Sequence, residues 1–153
     1  MRYFKTGDVG FQDENHNFFI TDRVKELIKY KGFQVAPAEL EGKLIDHPMI
    51  DDVAVIGVED KEMHTEVPRA YVVHAKKGGK AGDKETGMPS SDEDRKDAED
   101  IMNWLAGKVA SHKKLRGGVR FIEEVPKSAS GKILRRLLKE RAKKESSTSK
   151  AKL

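Results

Sequence analysis

The sequence predicts a small α+β domain of three layers, in which a central sheet of about three strands is flanked by helices and preceded by β-hairpins. Three observations support this fold class. The 153 residues are enough for one domain with its own core. Hydrophobic residues make up 37% of the chain and charged residues also 37%, so the apolar side chains must be concentrated in a few segments. After residue 50, strand-like and helix-like segments alternate.

Two β-hairpins are predicted before residue 36. In residues 5–22, apolar residues flank the polar, turn-rich segment 13–17 on both sides. Residues 24–35 form a second β-rich stretch, in which Lys31 and Gly32 supply the turn. Pro37 then opens a helix whose Leu40, Leu44 and Ile45 share one face, and the helix ends at His47-Pro48.

Two strands are expected to form the centre of the sheet. Residues 53–58 are almost continuously apolar, which is typical of a strand covered on both faces. Residues 67–75 alternate well enough to be the neighbouring strand, and Pro68 indicates that this strand begins at an edge. Residues 76–91 have no periodicity and are predicted to be a mobile loop.

The last third of the chain predicts two helices and a third strand. Ser90 and Glu93 match a capping box, and the apolar face that follows reaches Val109, so a helix is expected to end near Ser111. Residues 119–125 form the third strand. Ser130-Gly131 precedes a helix with an apolar stripe, and a disordered basic tail is predicted for residues 143–153. The stripe consists of Ile133, Leu134, Leu137 and Leu138.

Composition excludes several classes of site. The chain has no Cys, so disulfides, thiolate nucleophiles and cysteine metal sites are excluded. The five His never occur at i, i+4, so no metal site is predicted. No apolar stretch approaches the roughly 18 residues of a membrane helix. A net charge of +4 is too small to identify a polyanionic partner, and no nucleic acid is predicted.

Three segments indicate a functional role in addition to a role in folding, and each also has an ordinary structural explanation. The turn ending in Asp8 presents a carboxylate that suits a ribose diol, although such turns are common. Residues 22–41 place basic residues around a glycine turn, where a polyphosphate can be met; the alternative is a solvated edge strand. In residues 126–132 a Gly-Lys pair precedes a helix, where anions are favoured; the alternative is an ordinary loop and N-cap.

Two familiar motifs are rejected. A P-loop would need Gly in place of Pro126 and Ser or Thr in place of Ile133. An RNA-recognition motif would need a small residue and an aromatic residue where Gln34 and Val35 stand.

Taken in order, these segments resemble the C-terminal part of the adenylate-forming enzymes, the superfamily of acyl-CoA synthetases, 4-coumarate CoA ligases, firefly luciferases and peptide-synthetase adenylation domains. LIKYKG at residues 27–32 is most similar to the coumarate-ligase and luciferase branch, and SGKILRR at 130–136 to a ligase. The most specific matches are YFKTGDVG at residues 3–10, the twenty residues 22–41, KLRGGV at 114–119 and PKSASGKILRR at 126–136.

The resemblance implies a role for single residues. Asp8 would hold the ribose hydroxyls of ATP or of the acyl-adenylate, and Arg23 would contact the same nucleotide. Asp22 would be the hinge about which the small domain rotates. Lys132 would be catalytic and reach the forming acyl phosphate, where its charge stabilises the transition state.

The second half-reaction involves another set of residues in the same resemblance. Lys29, the second residue taken as catalytic, and Gln34 would face the adenylate. Lys31 and Gly32 would line the path of CoA after rotation, because Gly lets a pantetheine pass close to the backbone.

The function implied is that of a lid domain in an ATP-dependent acyl-CoA ligase, which uses ATP with Mg²⁺, CoA and a carboxylic acid. Residues 1–21 would be a hairpin remnant of the large N-terminal domain and 22–142 the lid. The phosphate loop and the acyl pocket of such enzymes are absent from this sequence, so the isolated chain is expected to be inactive. The alternatives are a free-standing CoA- or nucleotide-binding module and a fragment of a luciferase-like oxygenase, and a nucleic-acid-binding protein comes third.

The last three residues predict a cellular location. Ala151-Lys152-Leu153 is similar to the S-K-L peroxisomal address. A peroxisomal protein is therefore expected, with the cytoplasm as the alternative.

Overall fold

The computed structural model describes residues 8–12, 18–23 and 26–151, with side chains from residue 26 to residue 146. It contains a short 3₁₀ helix at Ser111–Lys113 in addition to the following elements. These are β1 Asp8–Gln12, β2 Phe18–Arg23, β3 Ile28–Tyr30, β4 Phe33–Val35, α1 Pro37–Leu44, β5 Ile50–Asp60, β6 Thr65–His74, α2 Asp92–Ala106, β7 Val119–Phe121 and α3 Arg135–Ala151.

The fold is α+β with three layers, as predicted. In the central sheet the strand order is β5-β6-β7, with β5 antiparallel and β7 parallel to β6. Successive side chains of a strand point to opposite faces. Val53 and Val55 of β5 therefore join a core with α1 and α2, whereas Ala54 and Ile56 join a second core with α3. Helices thus cover both faces of β5, which explains its apolar sequence.

Both hairpins form where they were predicted. β1 pairs with β2 and β3 with β4, each pair antiparallel. Lys31 and Gly32 connect β3 to β4 with φ angles of 44° and 87°. Two central residues with positive φ define the turn whose twist matches that of the strands.

The helix boundaries differ from the prediction in three places. α1 begins at Pro37 as expected, but Ile45 follows the helix and is 43% exposed. The N-cap of α2 is Ser91 and not Ser90, because the Oγ of Ser91 accepts the N–H of Asp94 at 3.0 Å. α2 ends at Ala106, and the 3₁₀ helix lies where its end was predicted.

The prediction that the second strand begins at an edge is confirmed for residues 65–69, which pair with β5 but not with β7. β6 starts at Thr65 and is the central strand of the sheet. Its pairing with β7 begins only at Ala70, so the missing N–H of Pro68 removes no hydrogen bond to β7.

The predictions for the last helix also need correction. α3 begins at Arg135, since Ile133 instead forms an isolated bridge with Lys127. Leu134 and Leu137 are 37% and 40% exposed, so neither belongs to the core. α3 continues to Ala151, where a disordered tail was predicted, and Glu145 on it binds arginines of the sheet.

Residues 76–91 form a loop without helix or strand, as the lack of periodicity predicts, and several of them contact the rest of the domain. Ala81 is buried in the core with α2. The Nζ of Lys77 lies 3.0 Å from Asp94 and 3.1 Å from Asp97. The N–H of Phe121 in β7 bonds to the carbonyl of Gly87 at 2.7 Å. These contacts fasten the segment to α2 and to the sheet.

Asp94 is the centre of this attachment, and its removal is expected to destabilise the fold. Its carboxylate is 4% exposed and accepts hydrogen bonds from Lys77 and from the N–H of Gly82. Asp94→Ala leaves the Lys77 ammonium with fewer partners, so the free energy of unfolding should fall by about 3 kcal/mol. Asp92→Ala is the control, since the side chain of Asp92 is fully exposed.

The same carboxylate makes stability depend on pH. Burial alone would raise the pKa of Asp94, but the Gly82 N–H and the Lys77 ammonium outweigh it and hold the pKa well below its usual range. A depressed pKa stabilises the fold above pH about 4, and the contribution is lost as the pH falls further. Denaturant unfolding between pH 7 and acid should show a flatter pH profile for Asp94→Ala. Equal losses in both proteins would contradict this account.

Candidate functional site

The hairpin β3–β4 brings together the two residues predicted to face the adenylate. Lys29 and Gln34 are direct cross-strand partners. Both side chains are exposed, whereas Ile28 and Val35 point into the core. Because opposite residues of an antiparallel pair have Cβ atoms about 5 Å apart, Lys29 and Gln34 form one polar surface.

The turn of the same hairpin holds the two residues predicted for CoA. Lys31 and Gly32 are both exposed, and a Cβ placed on Gly32 would meet nothing within 4 Å. The hairpin is anchored to the beginning of β6. The N–H of Lys31 bonds to the Oγ1 of Thr65 at 2.9 Å, and that of Lys29 to the Oε2 of Glu66 at 2.9 Å.

Aromatic and basic side chains surround this turn. Phe33 is 52% exposed and stacks on His112, with ring centroids 4.3 Å apart. The guanidinium of Arg116 lies 4.7 Å from the ring centroid of Tyr30, and the Nζ of Lys31 lies 5.7 Å from it. A rim of cations and an exposed ring can receive a phosphate-bearing group. Sequence reasoning missed His112 and Arg116, because about eighty residues separate them from the hairpin.

Lys132 lies in a closed loop before α3. An isolated antiparallel bridge joins Lys127 to Ile133, and the N–H of Ser128 bonds to the carbonyl of Lys132 at 2.8 Å. Gly131 has a φ of 86°, which this tight loop requires. The Lys132 side chain is exposed and makes no ion pair with any described residue. Its ammonium is therefore available to an external anion.

The structure does not bring Lys132 to the hairpin turn. Lys127 binds Asp52 near the start of β5 at 2.7 Å. The turn instead is anchored at Thr65, which pairs with Asp60 at the far end of β5. The path from Asp52 to Asp60 is eight residues of extended chain, or about 26 Å. The two predicted lysine sites thus lie at opposite ends of one strand.

The remaining predicted residues lie at the front of the chain. Asp8 pairs with Arg23, and Val9 with Asp22, in the β1–β2 register. Their side chains, and the turn residues before Asp8, lie outside the described part of the structure.

An open groove of about 600 Å³ runs between the β5–β6 hairpin and α3. Arg69, Lys139 and Glu145 are among its lining residues, and none of the predicted site residues line it. Among the described residues, no three His, Asp or Glu side chains converge as a metal site would require. In the same part of the chain, no helix is long and apolar enough to cross a membrane.

The chain is similar in sequence to a known domain family and to curated proteins. A family model described as the AMP-binding enzyme C-terminal domain matches residues 39–132. The chain is 48% identical to 4-coumarate–CoA ligase-like 1 of Arabidopsis thaliana, over 91% of this chain and 22% of that protein. It is 45% identical to the luciferin 4-monooxygenase of Luciola mingrelica, over 93% of this chain and 23% of that protein.

Solved structures show the same likeness. The anthranilate CoA ligase AuaEII in complex with anthranoyl-AMP matches with a TM-score of 0.68 and 29% identity, over 88% of this chain and 23% of that one. ATP-bound MatB from Rhodopseudomonas palustris matches with a TM-score of 0.69 and 28% identity, over 90% and 24%. The chain spans less than a quarter of the length of these relatives. The sequence resemblance is thereby confirmed, and the chain belongs to the AMP-binding enzyme C-terminal domain family.

Proposed function

We propose that this domain is the lid of an ATP-dependent acyl-CoA ligase. The enzyme would convert an acid and ATP to acyl-AMP and pyrophosphate, and then acyl-AMP and CoA to acyl-CoA and AMP. The observation that carries the proposal is that Lys127 fastens the Lys132 loop to Asp52 near the start of β5, whereas the Lys31-Gly32 turn is fastened at the far end of that strand, through Thr65 beside Asp60. A domain with two distant sites can present them in turn by rotating, and Asp22 would be the hinge.

In the first half-reaction, Lys132 would approach the forming acyl phosphate. Its exposed ammonium has no carboxylate partner among the described residues, so no ion pair has to break. A charge already positioned where negative charge develops stabilises the transition state. Asp8 and Arg23 would hold the nucleotide. Mg²⁺ would enter with ATP.

In the second half-reaction, the hairpin would replace the Lys132 loop at the active site. Lys29 and Gln34 would face the adenylate from their shared surface. Lys31 and Gly32 would line the path of CoA, whose phosphates are complementary to the basic rim around the turn. The open space beside Gly32 supports this role.

The test uses an enzyme that carries this chain as its C-terminal part, joined to the preceding part of a relative. We expect acid-dependent release of pyrophosphate and CoA-dependent formation of a thioester. The isolated 153-residue chain should release no pyrophosphate, because one lysine cannot position ATP and acid together. Acid-dependent release by the isolated chain would contradict the proposal.

The identity of 45% to a luciferin 4-monooxygenase favours a second candidate, an adenylate-forming oxygenase. Both reactions begin with an acyl-adenylate, so they differ in the second step. Light emission with luciferin and oxygen, in the absence of thioester formation, would identify the oxygenase. Thioester formation from a panel of acids would identify the ligase and its substrate class.

We also propose that the protein is peroxisomal, on the basis of Ala151-Lys152-Leu153. Lys152 and Leu153 lie outside the described residues. A fluorescent protein ending in residues 143–153 should collect in peroxisomes, and the same fusion without its last three residues should stay diffuse. A diffuse signal from both fusions would contradict the proposal.

A further inference from the structure

The side chain of Arg135, the first residue of α3, is mostly buried and donates to three different residues. Its side chain is 11% exposed. The Nε donates to the carbonyl of Val55 at 3.2 Å, Nη1 to the Oε2 of Glu26 at 2.8 Å, and Nη2 to the Oε1 of Glu41 at 2.5 Å. Three separate elements of the domain thus meet at one guanidinium.

Two of these partners complete the free edge of the sheet. β5 is an edge strand, so among the described residues one side of its backbone has no neighbouring strand. At Val55 the carbonyl accepts from Arg135, and the N–H donates to the Oε2 of Glu41 at 2.9 Å. The Arg135–Glu41 ion pair therefore replaces a missing strand at this position.

The third partner leads toward the hinge. Glu26 lies four residues after Asp22 and two residues before β3. Arg135 itself lies three residues after Lys132, and the N–H of Leu134 bonds to the carbonyl of Pro126 at 2.8 Å. The guanidinium thus connects the closed Lys132 loop to the segment between the hinge and the hairpin.

We propose that Arg135 is a positioning residue for adenylation, which fixes the Lys132 loop relative to the hinge segment through Glu26 and Glu41. The inference rests on the proposed function. A planar guanidinium can hold three acceptors in fixed directions, whereas a lysine ammonium keeps the charge but loses this fork. Arg135→Lys is therefore the variant that separates geometry from charge.

The half-reactions are measured separately in the joined enzyme. Arg135→Lys should slow single-turnover adenylation about tenfold, because misplaced catalytic groups lose rate steeply. Thioester formation from supplied acyl-adenylate should be unchanged. Arg136→Lys is the matched control, since Arg136 is exposed and adjacent to Arg135. The joined enzyme with this variant should run both half-reactions at unchanged rates. Amide exchange at Gly131 and Leu134 should quicken in Arg135→Lys only.

A double variant decides whether Arg135 acts through Lys132. If it does, Lys132→Ala combined with Arg135→Lys should adenylate no more slowly than Lys132→Ala alone. If the rate losses of the two single variants multiply in the double variant, the role of Arg135 is merely structural and the proposal is overturned. The same holds if Arg135→Lys slows both half-reactions equally. A loss in Lys132→Ala with none in Arg135→Lys overturns it too but leaves the proposed function standing. If Lys132→Ala loses no adenylation rate, both this proposal and the proposed function are overturned.

A second variant keeps the test independent of folding. Glu26→Ala removes the acceptor of Nη1 and leaves the bonds of Arg135 to Glu41 and Val55 in place. It should slow adenylation selectively, in the same direction as Arg135→Lys. An unchanged adenylation rate in folded Glu26→Ala would contradict the link to the hinge segment.

Discussion

Replacing Lys132 with Ala in the joined enzyme is expected to slow acyl-adenylate formation about a hundredfold. The variant loses a positive charge from the developing phosphoryl transition state, which corresponds to about 3 kcal/mol of activation free energy. Thioester formation from supplied acyl-adenylate should survive. The reason is that the Lys132 loop is fastened near the start of β5, whereas the hairpin that would act in that step is fastened at the far end of the strand.

Single-turnover measurements of both half-reactions, together with the melting temperature, check this expectation. Lys132 is exposed, so its removal should leave stability unchanged. Lys96→Ala is a suitable control, because Lys96 is an exposed lysine on α2, far along the chain from both predicted sites. A parallel decline of both half-reactions in Lys132→Ala would refute the assignment of Lys132 to adenylation.

The reverse pattern is expected when Gly32 is replaced with Leu. A side chain at the turn should obstruct the pantetheine and slow thioester formation on the order of a hundredfold, while adenylation is nearly intact. Within the domain itself the added Cβ meets nothing within 4 Å. A selective loss would therefore come from a group that approaches the turn from outside.

A control is needed because Gly32 has a φ of 87°, which costs a non-glycine residue about 1–2 kcal/mol. Gly78→Leu carries a similar cost, since Gly78 has a φ of 51° and is also in open space. The two variants should lose comparable stability, but only Gly32→Leu should lose the second half-reaction. If Gly78→Leu lost it as well, strain in the fold and not obstruction of CoA would be the cause.

Local sequence patterns were sufficient to predict the hairpin turn, the strands and the family resemblance. Lys31-Gly32 was predicted as a turn, and the positive φ angles of both residues confirm it. The apolar run of β5 predicted coverage on both faces, and α1, α2 and α3 provide it. Such features depend on residues close together in the chain, where side-chain period and turn chemistry act directly.

Contacts between distant residues are what the local patterns could not show in two segments. The charged composition after Lys143 indicates a tail, yet Glu145 binds Arg69 and Arg120 and α3 continues. The glycine-rich stretch 76–91 indicates mobility, yet Asp94 ties it to α2 through Lys77. A composition typical of solvated segments is overridden when burial and ion pairing supply the free energy that orders the chain.

By itself, the sequence determined the α+β class, the turn at Lys31-Gly32, and the motifs that mark the adenylate-forming family. Only the tertiary structure decided that the Lys132 loop and the Lys31-Gly32 turn lie at opposite ends of β5. It alone also assigned Arg135 its partners Glu41 and Glu26, which are 94 and 109 residues away along the chain. The physical reason is that periodicity and turn chemistry act over a few residues, whereas these contacts arise only after the chain has packed around both faces of the sheet.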